Sequence, residues 1–213
     1  MLTAIGDVMR RLYERGWITT RDGNVSLRRT SERRIYITPS GWRKTIVHPE
    51  HVIRIDLAED NSLIVPEGPV PSAELHMHHL LLAHAKATRA VVHAHPTHVV
   101  AALYRGFDLV ALGNEFPEIF RYTRIGPSVA PIPATTAALG DATAEAFGLD
   151  AGTIAADIVG QHNHGVCAVA VDPWSAFEHV ERLNHVCEIV LASGVTPSEL
   201  EGRSQSNAMR SGG

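Results

Sequence analysis

Lysine, cysteine and aromatic side chains are scarce in this chain of 213 residues. Of its 19 basic residues only Lys44 and Lys86 are lysines. Schiff-base chemistry needs an amine in a dry pocket. Lys44 follows Arg43 in a turn-like GWRK and Lys86 falls near the end of a helical stretch, so neither reads as desolvated. The only cysteines, Cys167 and Cys187, lie in apolar surroundings at a spacing that fits no zinc motif. They read as buried free thiols in a reducing compartment. No run approaches the ~20 apolar residues of a membrane span. The start, MLTAIGDVMRRLYERG, lacks the apolar core of a secretory signal. A cytoplasmic protein without a membrane partner is expected. A formal net charge of −4 is not the basic footprint of a nucleic-acid binder.

Hydrophobic residues make up 45% of the chain and charged residues 20%, enough for one sizeable core. With no repeat or linker, residues 1–200 are expected to form a single domain, and 201–213 a disordered tail. Apolar positions at helical spacing (Ile5, Val8, Met9, Leu12) predict a helix over 3–15, stopped by Gly16. Residues 25–27 and 35–37 predict a hairpin, and 51–57 and 63–65 two more strands. After the loop PEGPVPS, Ser72 is expected to cap a helix reaching about Thr88. A strand over 90–95 ends at Pro96, and Thr97 is expected to cap a helix to Tyr104. Strands near 109–111 and 129–132 are expected to flank a long loop through Arg124. A helix over ATTAALGDATAEAFGL, strands over 156–159 and 166–171, and a helix over 173–193 complete the pattern. It predicts an α/β fold of α+β type, a mixed or mainly antiparallel sheet covered by helices.

What the chain has in plenty is histidine, 13 residues. In VVHAHPTHVV, His93 and His95 stand where a buried strand would carry Val or Ile. Positions i and i+2 of a strand share a face, so the two imidazoles project side by side and can hold one cation. A second pair, His162 and His164, sits in QHNHG between two apolar strands, and Glu74 lies at a helix start. Three imidazoles and one carboxylate make a sound ligand set for Zn²⁺, with Mn²⁺ and Fe²⁺ as alternatives. His76, His78, His79 and His84 share one helix and read as packing groups or as supports behind a site. His48, His51, His179 and His185 read as surface or interface residues. His98 could orient substrate or simply pack. Gly23-Asn24 and Ser40-Gly41 fit tight turns and equally fit loops that approach an anion; Ser72 at a helix N-terminus adds a donor.

Five motifs in order, GNVSLR (23–28), ITPSG (37–41), PSAELHMH (71–78), VVHAHPTH (91–98) and HNHG (162–165), resemble the class II aldolase/adducin family over residues 3–194. The resemblance implies a three-layer α/β/α fold with a central, mainly antiparallel sheet. It implies a metal bound by His93, His95 and His164, with Glu74 as acid/base. Gly23, Asn24, Ser40, Gly41 and Ser72 would hold a substrate phosphate. It further implies a homotetramer with active sites at subunit interfaces. The expected reaction is aldolase-type lyase chemistry on a small sugar phosphate, through a metal-stabilised enediolate. Glutamate at position 74 leans towards a lyase, since the epimerases are expected to carry aspartate there.

The chain departs from that pattern in places. Ala73 stands where an aldolase of the family has a second serine. Arg21-Asp22 replaces small hydroxyl-bearing residues before Gly23, and Arg21 could bind a phosphate or a carboxylate. No tyrosine follows Tyr122, so Glu115, Glu118 and Tyr122 are the candidates for a second proton donor, with Arg121 and Arg124 as possible anchors for an acidic substrate. The alternatives are a decarboxylase of a hydroxylated aromatic or heterocyclic acid, a sugar-phosphate epimerase or dehydratase, and a non-catalytic adducin-like scaffold. A polar cluster of this kind in a sheet core is expensive without an ion, which argues against the scaffold.

Overall fold

The computed structural model describes residues 2–202. Seven strands form one sheet in the order β4-β3-β2-β1-β5-β7-β6. They are β1 (Asn24–Arg29), β2 (Arg34–Ile37), β3 (Ile53–Leu57), β4 (Leu63–Ile64), β5 (Ala90–Ala94), β6 (Ile158–Gln161) and β7 (Gly165–Ala170). Every neighbouring pair is antiparallel. The helices are α1 (Thr3–Glu14), α2 (Leu75–His84), α3 (Thr97–Tyr104), α4 (Leu109–Asn114), α5 (Pro117–Tyr122), α6 (Ala137–Ala146) and α7 (Pro173–Ser193).

The period of two along the strands sorts side chains between two apolar layers. Val25, Leu27, Ala90, Val92 and Ala94 pack with Val8, Val99, Val180 and Leu183 of α1, α3 and α7. Ile35, Val91, Cys167 and Val169 pack on the opposite face with Met77 and Leu81 of α2 and with Phe147, just after α6. The result is the three-layer α/β/α arrangement with an antiparallel central sheet. On β1 and β5 the alternation leaves Asn24, Ser26 and His93 facing the α2 side. The register sets Asn24 directly opposite His93, and His93 opposite Cys167 of β7.

Some local expectations are corrected. Residues 109–111 begin α4 rather than a strand, because the Asp108 carboxylate accepts from the backbone N–H groups of Val110 at 2.7 Å and Ala111 at 3.0 Å, a helix cap. The long loop after it contains α5, started by Pro117 at its first position. The expected strand at 129–132 reduces to isolated parallel bridges, Ile125 with Ile158 and Val129 with Gln161, along the edge of β6. Thr97 is the first residue of α3, and Pro96 occupies the cap position. Glu74, not Ser72, takes the cap position of α2, which starts at Leu75 and ends at His84, four residues short of the expected end. Of the tail, 201 and 202 lie in a helical turn over 197–202, anchored by the buried Leu200. The expectation for 203–213 lies outside the described residues.

Two glycines let the chain close around the histidines. Gly23 has φ +70°, and a Cβ there would lie 2.4 Å from Ile18 Cγ2. A Cβ at Gly165 would lie 2.2 Å from the Ala94 carbonyl oxygen and 2.6 Å from His95 Cδ2. Gly165→Ala must therefore push β7 from β5. It is expected to lower stability by about 1–3 kcal/mol, read as a fall in the urea midpoint; an unchanged midpoint would show that β7 yields without loss.

Candidate metal centre

His93 lies in the fully buried strand β5, which ends at Ala94, and His95 follows on the same face. The His95 backbone N–H is fixed by the Trp17 carbonyl at 2.8 Å. His164 comes from the tight turn between β6 and β7, where Asn163 takes the left-handed backbone with φ +58°. These three parts of the sequence meet. His93 Nε2 lies 3.0 Å from His164 Nε2 and 3.0 Å from His95 Nε2. One ligating atom from each residue falls within 4.8 Å of the others. His93 Nδ1 donates to the Val166 carbonyl at 2.9 Å. A carbonyl only accepts, so the neutral ring carries its proton on Nδ1 and its Nε2 lone pair faces the cluster. Burial is the largest influence holding His93 well below the ordinary histidine range, followed by the charges of His95 and His164. Burial likewise lowers His95, with His164 the next cause.

Glu74 completes the group. It is 8% exposed, with Oε2 3.1 Å from His93 Nε2 and Oε1 3.4 Å from His164 Nε2. It occupies the cap position of α2, and its backbone N–H donates to Ser72 Oγ at 3.3 Å. The donor set of three imidazole nitrogens with one carboxylate fits a small divalent cation. Zn–N bonds of ~2.0–2.1 Å in a tetrahedron imply nitrogen separations of ~3.3 Å, close to those between the imidazoles.

A cleft of about 260 Å³ opens over the group and is lined also by Arg21, Asp22, Gly23, Asn24, Ser40, Gly41, Lys44, Ser72 and Ala73. Backbone bonds draw its loops together. Ser40 N–H donates to Val70 O at 2.9 Å, and Ser72 N–H donates to Thr38 O at 3.1 Å. Arg21 reaches across the mouth to the Gly41 carbonyl at 3.2 Å. All the residues singled out from sequence for metal, acid/base and phosphate thus line one cleft.

Other expectations are corrected. Lys44 is desolvated after all, at 2% exposure. Its backbone N–H is bonded to Thr20 O at 2.8 Å, its Nζ donates to Pro39 O at 2.9 Å, and burial pulls its pKa down to about 8. The GWRK turn concealed this, because folding the loop onto residue 20 buries it. Arg124 is tied to Asp157, Nη2 to Oδ1 at 2.6 Å, away from the cleft. Arg121 and Arg182 flank the ring of Tyr122, which is 55% exposed. Glu115, Glu118 and Tyr122 do not line the cleft in this chain. His162 is outside the histidine group, and His98 is bonded to Asn184 on another side of the molecule. Cys167 and Cys187 are buried free thiols, as expected. The Asn24 side chain, expected at a phosphate, instead donates from Nδ2 to Glu74 Oε2 at 3.0 Å, and behind it the buried His78 stands as one of the supports that the sequence allowed. His78 falls one helical turn after Glu74, which was the available clue.

The fold and this cluster define a class of metal-centred α/β/α proteins. A family model described as the class II aldolase and adducin N-terminal domain matches residues 3–191, and the chain belongs to that family. Methylthioribulose-1-phosphate dehydratase of Bradyrhizobium sp. (strain BTAi1 / ATCC BAA-1182) is 32% identical over 197 residues, 86% of this chain and 88% of that protein. The protein of the same name from Pectobacterium atrosepticum is 33% identical over 116 residues. That match spans 54% of this chain and only 55% of the relative. The structure of l-fuculose-1-phosphate aldolase from Thermus thermophilus superposes with a TM-score of 0.72 at 25% identity, covering 90% of this chain and 93% of that one. Sugar-phosphate aldolase from Thermotoga maritima gives 0.76 at 21% identity, covering 92% and 97%, a likeness of fold.

Purified full-length protein is expected to bind about one divalent ion per chain, measured by elemental analysis after dialysis. His93→Ala, His95→Ala and His164→Ala should each lose it. Equal metal content in wild type and His93→Ala would make the cluster a packing feature.

Proposed function

We propose that this chain is a divalent-metal-dependent lyase that removes water from a small phosphorylated hydroxyketone. One observation carries the reading. A single cleft is lined by three imidazoles and a carboxylate together with hydroxyl-bearing loops and a buried ammonium. The dehydratase relative aligned over most of both chains supports the choice of reaction. In this reading His93, His95 and His164 hold the metal, with Zn²⁺ first and Mn²⁺ or Fe²⁺ as alternatives. When bound, the cation supplies Lewis-acid stabilisation of negative charge developing beside the carbonyl carbon.

Glu74 carries the proton. Its carboxylate takes the proton from the carbon next to the carbonyl and returns it to the departing hydroxyl. A C–H and a C–O bond break, a C=C bond forms, and water leaves, with no further reagent. The carbon that loses its proton also bears a hydroxyl, so the new C=C is an enol, which then settles to a ketone. Ser40, Gly41 and Ser72, with Gly23 and the Asn24 backbone, hold the phosphate. Lys44 supplies the charge. Its ammonium has one carbonyl partner and no ion pair among the described residues, so it retains donors for an anion, and a buried cation is strongly stabilised by one.

Retro-aldol cleavage is the second reading, favoured by the likeness to the Thermus aldolase. It needs a separate proton donor at the substrate hydroxyl. With Glu115, Glu118 and Tyr122 away from the cleft in one chain, that donor would come from a neighbouring subunit, in a homotetramer with sites between subunits. The decarboxylase reading loses Arg124 to Asp157. We take residues 2–200 as one unit working in the cytoplasm, where the free thiols stay reduced.

Metal-loaded protein given methylthioribulose 1-phosphate is expected to yield a product lighter by one water in mass spectrometry. A carbon–carbon adduct from dihydroxyacetone phosphate and an aldehyde would instead establish the aldol reading; neither product would defeat both. Lys44→Met is expected to raise KM for a phosphorylated substrate by roughly tenfold or more, with kcat less affected. Phosphate binding needs the ammonium, whose pKa of about 8 means that KM should climb as pH rises past that value. A flat KM across this range, or in the variant, would remove Lys44 from the anion site.

A further inference from the structure

The polar groups around Glu74 continue away from the cleft as a buried chain. Glu74 Oε2 accepts from Asn24 Nδ2 at 3.0 Å. Asn24 Oδ1 is bonded to His78 Nε2, and His78 Nδ1 lies 2.5 Å from Ser26 Oγ. Glu74, Asn24, His78 and Ser26 are all buried, His78 and Ser26 completely. Their meeting follows from the fold: Asn24 and Ser26 are alternate residues of β1 on the face that α2 covers, and Glu74 and His78 are one turn apart on α2.

The direction of every bond in this chain is fixed by its ends. Glu74 Oε2 accepts from Asn24 Nδ2, so the amide NH₂ of Asn24 faces Glu74 and its carbonyl faces His78. That carbonyl only accepts, so His78 Nε2 bears a hydrogen. Burial holds His78 down at a pKa of about 3, so the ring is neutral. Its Nδ1 is then bare and accepts the Ser26 hydroxyl proton. The opposite tautomer would leave two acceptors face to face at Asn24, and would free the amide to turn its carbonyl towards Glu74.

We propose that His78, held by Ser26 as its Nε2–H tautomer, is a positioning residue that locks the Asn24 amide so that it grips the Glu74 carboxylate beside the three imidazoles. It never meets substrate. The kinetic consequence rests on the role of Glu74 in the proposed reaction; the locked geometry does not.

The test uses the full chain, metal-loaded, with ring ¹⁵N spectra of histidine and three variants. His78 is expected to show a protonated Nε2 and bare Nδ1, unchanged between about pH 6 and 8. His78→Leu is expected to lower kcat roughly 10–100-fold with KM and metal content little changed. Its crystal structure should show the Glu74 carboxylate turned from its wild-type position. His78→Gln, which returns an N–H at the end of the side chain, should restore most of kcat. Ser26→Ala, a milder change in case His78→Leu fails to fold, should lower kcat and give a mixture of ring tautomers. An Nδ1–H ring in the wild type, an unmoved Glu74, or a Gln variant as impaired as the Leu variant would overturn the proposal. If the wild type turns over none of the substrates, the lyase reading fails, while the ring spectra and the Glu74 position still decide the locked geometry.

Discussion

Three imidazoles that meet through their Nε2 atoms at the floor of a cleft in the sheet are the constraint around which the chain is arranged. Bare lone pairs repel, and protonating two of the rings would bury like charges. Burial on β5, with the charges of His95 and His164 next, keeps His93 neutral, and the carbonyl of Val166 fixes which nitrogen faces inward. Such an arrangement is favourable when a cation sits among the rings, which is why the ligand set reads as a metal centre rather than as core packing.

The antiparallel register turns that corner into a site. With Asn24 opposite His93, the face of the central strands under α2 carries polar groups, while the face under α1, α3 and α7 stays apolar. A one-residue slip of β1 against β5 would exchange the two. The polar groups are almost all partnered: Asn24 with Glu74 and His78, His78 with Ser26, Lys44 with Pro39. A fully connected buried network is rigid as well as tolerable. Rigidity is what the proton-carrying role proposed for Glu74 would need, so that the carboxylate meets substrate in one geometry.

Much of this was legible in the sequence, and the exceptions have physical causes. His-x-His on a strand, a glutamate at a helix start and a His-Gly turn carry local geometry, so they could be read one by one. The resemblance then selected His164 over His162, a choice that spacing left open. Residues 109–111 misled because Leu-Val-Ala suits a strand as well as a helix; Asp108 as a cap decided otherwise. Arg124 read as a substrate anchor because its charge is visible in sequence and its partner Asp157, 33 residues later, is not. Lys44 read as exposed because a turn-like tetrapeptide says nothing about the loop that folds over it.

The order of residues was enough to say which positions alternate, which side chains can bind a metal, and which short segments turn, because period, side-chain chemistry and turn preference act over a few residues. It took the assembled fold to bring residues 24, 74, 93, 95 and 164 into one cleft, to leave Lys44 dry, and to stand His78 behind Asn24. Burial and pairing are properties of the packed sheet and helices, set by contacts between residues far apart in the chain, and no local pattern encodes them.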